Sequence, residues 1–148
     1  MMNIRKAKME DAENLKDLYF NHLTSDPPTE EQDMNRWREL ISKFENNNLH
    51  HVLVGEIDNK VVSSVTLIII ENVTHNVSPF AIIQNVVTHA DYRGKHYGTI
   101  LMNRASEIAK RFGCDKIMLQ TGSKLDSTLK FYENCGFDRE KTGFLKRL

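Results

Sequence analysis

The sequence predicts an α/β fold in which one central sheet carries helices on both faces. Runs with strand character alternate along the chain with runs whose apolar residues recur at helical spacing. Val61 to Ile70 becomes continuously apolar towards its end, and a strand of that kind is covered on both sides. Asp58-Asn59-Lys60 then separates two strand runs by a short turn-forming segment, which joins them as an antiparallel hairpin. At 148 residues, 40% of them hydrophobic, the chain is the size of one domain with a real core.

Taken in order, Ile4 to Ala7 reads as an opening strand. Ala12, Leu15, Leu18 and Tyr19 place an apolar stripe on a first helix, which Asp26-Pro27-Pro28 stops. A second helix is expected from near Glu30, with Trp37, Leu40, Ile41 and Phe44 on one face, fading in Asn46-Asn47-Asn48. The strands His51 to Ile57 and Val61 to Ile70 follow, then a polar loop from Asn72 to Pro79 and a strand from Phe80 to Thr88. Thr99 to Phe112 is a helix with Leu101, Ala105, Ile108 and Phe112 facing inward and Gly113 at its stop. Lys116 to Thr121 is a further strand. Asp126 is expected to cap a last helix whose Thr128, Phe131, Tyr132 and Cys135 share a face, ended by Gly136, and Arg139 to Leu148 reads as one strand or two short ones.

Composition narrows the function classes. Twenty basic and twenty acidic residues cancel, so no global field holds nucleic acid or an anionic membrane. No stretch is long and apolar enough to span a bilayer, and the charged start does not lead into a signal-type segment, so a soluble cytoplasmic protein is expected. Cys114 and Cys135 are too few and too separated for a disulfide framework or a zinc site, and Cys135 beside Gly136 reads as a small buried thiol before it reads as a nucleophile. His22, His50, His51, His75, His89 and His96 form no known ligand spacing, and no metal site is expected.

The stretch Asn85 to Thr99 carries most of the chemistry. An apolar strand runs through a glycine-flanked basic turn into an amphipathic helix, and that layout suits a phosphate. Unpaired N–H groups at a helix start, together with the helix dipole, complete an anion site. Gly94 and Gly98 permit close backbone approach, while Arg93 and Lys95 add charge. The spacing matches neither the P-loop nor the dinucleotide turn.

This order of elements, with Arg93-Gly-Lys-His-Tyr-Gly98 before one helix and Phe131-Tyr-Glu-Asn-Cys-Gly-Phe137 in the last, resembles the GNAT superfamily of acyl-CoA-dependent N-acyltransferases. The resemblance covers nearly the whole chain. It implies a mixed, mostly antiparallel twisted sheet with helices on both faces and a V-shaped splay for acetyl-CoA, the co-substrate. In that pattern the amides of Arg93, Gly94, Lys95, His96, Tyr97, Gly98 and Thr99 would hold the pyrophosphate. The backbone of Val86, Val87 and Thr88 would pair with the pantetheine arm, and Val86 or Val87 N–H would polarise the thioester carbonyl. A bulge is a plausible device for the splay. His96 stands where the family has its central loop glycine, and Leu125 where it has an asparagine.

By the same resemblance Tyr132 is the proton donor to the departing thiolate. The base is less plainly marked, because Gln84 and Asn85 occupy the positions where many relatives carry a carboxylate. A water ordered by Gln84 is preferred over Glu71, His75, His89 or an amine that arrives neutral. The expected activity is acetyl transfer to a primary amine of a small molecule or peptide. The alternatives are a CoA-binding regulator that does not turn over and a plain anion-binding module. Acceptor choice is expected in Asn21 to Asn48, the 71–79 loop and the chain end, and a homodimer is possible by analogy with the family.

Overall fold

The computed structural model describes residues 1–148 and places five strands in one sheet in chain order. β1 (Asn3–Lys6), β2 (His50–Ile57), β3 (Lys60–Ile70) and β4 (Phe80–Thr88) are antiparallel to their neighbours, and β5 (Ile117–Leu119) joins β4 in parallel. The mixed, mostly antiparallel sheet is thus the predicted one. The β2–β3 hairpin closes through Asp58 and Asn59, at φ 49° and 63°. Positive φ at both central residues gives the turn whose twist suits a hairpin, and Asp and Asn tolerate it.

Four helices cover the sheet. α1 (Ala12–Leu18) follows a 3-10 turn at Met9–Asp11 and continues as a wider helical turn, Tyr19–Leu23; α2 is Met34–Glu45, α3 Tyr97–Arg111 and α4 Asp126–Asn134. α2 begins at Met34 and not near Glu30, because Asp33 caps it: the Asp33 carboxylate accepts the Asn35 and Arg36 N–H groups at 3.1 and 3.3 Å. α3 starts at Tyr97, earlier than Thr99. Leu125, not Asp126, holds the cap position of α4, and Asp126 is its first helical residue.

The apolar run in β3 is explained by two cores. Leu53, Val65, Leu67, Ile69, Ala81 and Ile83 pack on Leu101, Met102, Ala105 and Ala109 of α3. On the other face, Val52, Val54, Val61 and Val87 pack on Ala12, Leu15 and Leu18 of α1 and Ile41 of α2. Each such aliphatic side chain contributes about 1.5–3 kcal/mol when fully buried. The stripe of α3 is rotated slightly from expectation: Met102 and Ala109 are buried, while Phe112 is 38% exposed.

Two expectations fail. β5 is three residues long, shorter than Lys116 to Thr121. Residues 139–148 form no strand and lie exposed. Phe144 and Leu145, 93% and 78% exposed, are consecutive, so in a strand they would point to opposite faces and neither face would be apolar enough to dock. In the 71–79 loop, Thr74–Val77 closes one short turn with His75, Asn76 and Val77 all at positive φ.

Candidate functional site

The end of β4 is built to depart from its neighbours. Thr66 faces Gln84 and Ser64 faces Val87, so the single β3 residue Val65 opposes both Asn85 and Val86. This is a β-bulge, with Asn85 at φ 52°, a conformation asparagine adopts more readily than most side chains. A regular strand would send Gln84 and Asn85 to opposite faces; the bulge turns both onto the cleft beside α2. Val87 is buried against α1 and Val86 packs on the α3 side. Ser63, fully buried, fixes the strand beyond the bulge, its Oγ donating to the Val87 carbonyl at 2.9 Å and lying 2.8 Å from Thr88 Oγ1.

β5 pairs with β4 only across Ala81, Ile82 and Ile83. From Gln84 to Thr88 no strand lies on that side, and a wedge opens along an edge of β4 that is strand-free, with the Thr88 carbonyl taken by Arg93. An extended amide-bearing arm can add to such an edge as a strand would. The expected splay is therefore present.

The wedge leads to the start of α3. Gly94 and His96 are at φ 76° and 64°, and His96 holds the cap position without a side-chain hydrogen bond. At position 96, where the resembled family has its central loop glycine, a left-handed geometry is thus adopted by a histidine. N–H groups of the first turn, Tyr97 to Thr99, have no intrahelical carbonyl to bond and point at the loop's concave side. Lys95 lies over the Tyr92 ring at 5.4 Å. Arg93 behaves differently from expectation: its Nε donates to the Thr88 carbonyl at 3.1 Å and its Nη2 to the His22 carbonyl at 2.8 Å. The guanidinium ties the loop down, and only the backbone of Arg93 faces an anion.

On the far side of the loop, α4 presses close. A methyl at Gly98 would meet Phe131 Cζ at 3.3 Å and Thr88 Oγ1 at 3.6 Å, which explains a glycine inside the first turn of a helix. Tyr132 is half-buried beside Phe131, ring centroids 5.2 Å apart, and burial followed by the neighbouring Cys135 pushes its hydroxyl above the ordinary tyrosine range. It stays protonated and able to donate. Burial likewise pushes the Cys135 thiol up, against a hydrogen bond from Thr99, so Cys135 is no activated nucleophile.

Gln84 and Asn85 open into a cleft of about 870 Å³ between β2, β3, β4 and α2. Its walls are Tyr19, Trp37, Phe44 and His50, and Glu30, Glu31, Asp33, Arg36 and Lys43 sit at its rim. His50 stacks on Phe44 at 3.6 Å, and burial, then Lys6 and His51, holds it below the ordinary histidine range, so it is a neutral imidazole at pH 7. Sequence reasoning missed His50, because at the first position of β2 its only signal was the alternation that pairs it with Val52 on one face. Glu71 and His75 are exposed and do not line this cleft. His89 is committed elsewhere, its Nδ1 accepting the Asp91 N–H at 3.1 Å.

Comparison with known proteins agrees with this geometry. The model of the acetyltransferase (GNAT) family matches residues 12–137. The glucosamine 6-phosphate N-acetyltransferase of Trypanosoma brucei brucei is 30% identical over 124 residues, covering 80% of this chain and 77% of the relative. Glucosamine 6-phosphate N-acetyltransferase 1 of Dictyostelium discoideum is 26% identical, covering 82% of this chain and 74% of the relative. A solved structure from Agrobacterium tumefaciens str. C58, assigned as an acetyltransferase, superposes with a TM-score of 0.86 at 34% identity over 99% of both chains. No helix is long and apolar enough to cross a membrane. With the family model spanning both the bulged strand and the loop before α3, the chain belongs to the acetyltransferase (GNAT) family of N-acetyltransferases.

Proposed function

We propose that this enzyme moves the acetyl group of acetyl-CoA to a primary amine of a small molecule or peptide by direct attack in a ternary complex. The observation that carries the reading is the strand-free edge of β4 from Gln84 to Thr88, followed in the chain by the glycine-flanked loop and the first turn of α3, whose N–H groups have no intrahelical partner. The residues fit the group: the amides from Arg93 to Thr99 would hold its pyrophosphate, and the free edge of Val86, Val87 and Thr88 its pantetheine arm. When bound, it supplies the activated acetyl thioester. Val86 or Val87 N–H stabilises the charge that develops on the carbonyl oxygen, a contribution of about 3 kcal/mol in comparable sites.

A lysine-like amine is neutral in only about one molecule in 10³ at pH 7, so its proton must leave. Gln84, with no carboxylate beside it, serves by placing a water that accepts this proton. Tyr132 returns a proton to the departing thiolate. From ordinary values of about 10 and 8.5 this transfer is about 2 kcal/mol uphill, and a hydrogen bond between the two groups offsets part of it. We read the chain as one catalytic unit, and its two free cysteines suit a reducing, cytoplasmic setting.

For the acceptor, a phosphorylated amino sugar is favoured by one observation besides the names of the relatives. Arg36 and Lys43, which form no ion pair, share the cleft lining with Glu30, Glu31, Asp33 and Glu39, so it offers cations for a phosphate beside carboxylates for an amine. The test is release of free coenzyme A with a panel of amines: glucosamine 6-phosphate, glucosamine, a polyamine and a peptide. Turnover of the phosphorylated sugar well above glucosamine supports this acceptor. Tight coenzyme binding with no turnover on any amine would instead favour a CoA-binding regulator.

A further inference from the structure

Between the end of β4 and the loop before α3, two histidines from distant parts of the chain stack with ring centroids 3.9 Å apart and planes at 32°. His22 lies in the wide turn after α1, and His89 follows β4. His22 Nδ1 accepts the Ala90 N–H at 3.1 Å, and His89 Nδ1 accepts the Asp91 N–H at 3.1 Å. Each neutral ring therefore carries its proton on Nε2. Arg93, bonded to the carbonyls of Thr88 and His22, closes the same joint. The backbone from His89 to Arg93 is thus held onto the end of α1 immediately before the loop begins.

A metal ion is a poor occupant of this place, although Asp17, His22 and His89 each offer an atom within 4.8 Å of the others. A histidine that binds metal through Nε2 carries its proton on Nδ1 and donates it outward. Here both Nδ1 atoms face backbone donors, which leaves no room for that proton. The donor set fits two neutral acceptors instead.

We propose that His22 and His89 are positioning residues that hold the coenzyme loop in place only while both are neutral, so that a proton on either ring releases the Ala90–Asp91 turn and weakens coenzyme binding. The proposal rests on the coenzyme reading above. A protonated imidazole has N–H at both nitrogens, and its Nδ1–H would then oppose a backbone N–H. Histidine is the side chain that ordinarily changes charge between pH 5 and 8.

The surrounding charges do not cancel the effect. Asp17 lies 3.6 Å from His22 Nε2 and Asp91 lies 3.9 Å from His89 Nδ1, with side chains 51% and 84% exposed and screened by water. Arg93 lies against the pair and opposes a second cation. The Tyr92 ring stands edge-on to His89 at 5.6 Å with Lys60 and Lys95 over it, and these add positive charge nearby. Affinity is therefore full at alkaline pH and lost as the pH falls, by up to about tenfold per pH unit for one coupled proton.

Asparagine supplies the test, because its Oδ1 sits where Nδ1 does, accepts the same N–H and does not titrate in this range. Coenzyme A affinity is measured by calorimetry across the histidine range, from about pH 8 to about pH 5.5. The wild type should lose affinity about tenfold or more, whereas a His22→Asn, His89→Asn double variant should lose only what protonation of the coenzyme's own phosphate accounts for. His22→Leu should bind weakly at both pH values. Equal losses in wild type and the asparagine variant, or normal binding by His22→Leu, would overturn the proposal. Amide spectra of the wild type need no variant: the Ala90 and Asp91 N–H signals should move together over the same range, and their constancy also sinks it. Failure of the wild type to bind coenzyme A at the alkaline end overturns the proposed function as well, while tight binding with a flat pH profile overturns this inference alone.

Discussion

In the proposed mechanism Tyr132 is the proton donor, and its environment sets a pH signature. Burial and Cys135 raise its hydroxyl above the ordinary value, so the acid form persists at every pH where the protein is ordinarily assayed. Removing the hydroxyl in Tyr132→Phe should lower kcat by about 10²-fold or more with little change in KM for acetyl-CoA. In the wild type, kcat should show no alkaline decline until above about pH 10. A Tyr132→Phe enzyme with unchanged kcat, or a decline centred near neutrality that vanishes in it, would remove Tyr132 from the mechanism. His96 poses a different question at the same scale. Its φ of 64° is strained for a side chain, but glycine would gain freedom in the unfolded chain, so the two effects nearly offset. His96→Gly should therefore shift stability by less than about 1 kcal/mol, and His96→Val should cost about 1–2 kcal/mol more than histidine because a β-branched residue resists that geometry. Urea melts of the two variants decide it.

At the scale of elements, α4 shows both what a sequence reveals and what it hides. Phe131, Tyr132 and Cys135 pack inward as their spacing indicated, because helical periodicity depends on the chain alone. The cap did not follow from local pattern: an aspartate before an apolar run looks like a cap, yet the chain enters one residue earlier, at Leu125, which is 67% exposed and caps nothing. Leu125→Asn should raise stability by about 1 kcal/mol, read as an upward shift in Tm, since asparagine can accept an N–H of the first turn. No gain in Tm would mean the entry angle at Leu125 keeps the side chain from reaching. The loop before α3 was legible because its glycines announce unusual backbone, whereas a bulge was expected only from the family resemblance and its place at Asn85 is shown by the fold. The His22–His89 joint was not, since its partners lie 67 positions apart and no ligand spacing links them in the sequence. Arg93 was misread for the same reason: a basic residue in a phosphate loop suggests an anion, and only the fold shows two carbonyls claiming it.

Across the whole molecule, the sheet is gripped at one edge by ions as well as by its two cores. Arg5 on β1 pairs with Asp11 of the 3-10 turn at 2.7 Å and with Glu56 on β2 at 2.6 Å, linking the chain's start, the entry to α1 and the second strand. Asp11 is buried, which alone would raise its pKa; the hydrogen bonds from Arg5 and the Lys8 N–H and the charge of Arg5 outweigh this and hold it below the ordinary carboxylate range. Glu56 is lowered as well, first by its hydrogen bond from Arg5. A carboxylate whose folded pKa is depressed stabilises the fold above its unfolded pKa, and that stability disappears as the pH falls through the folded value. Denaturant stability should therefore slip as the pH falls through the ordinary histidine range, where buried His50 resists the proton that the unfolded chain takes up, and drop further below about 4, as these two carboxylates take up protons. Asp11→Ala leaves the Lys8 N–H without its acceptor and removes one of the two carboxylates that Arg5 pairs with, Glu56 remaining, and should cost about 1–3 kcal/mol at neutral pH, with the gap to wild type narrowing below about pH 3 because the wild-type carboxyl is then neutral too. Urea melts of both proteins at the two pH values measure the gap. A gap that stays constant with pH would show that Asp11 holds this corner by shape and not by charge, and the ionic link between β1, α1 and β2 would have to be abandoned.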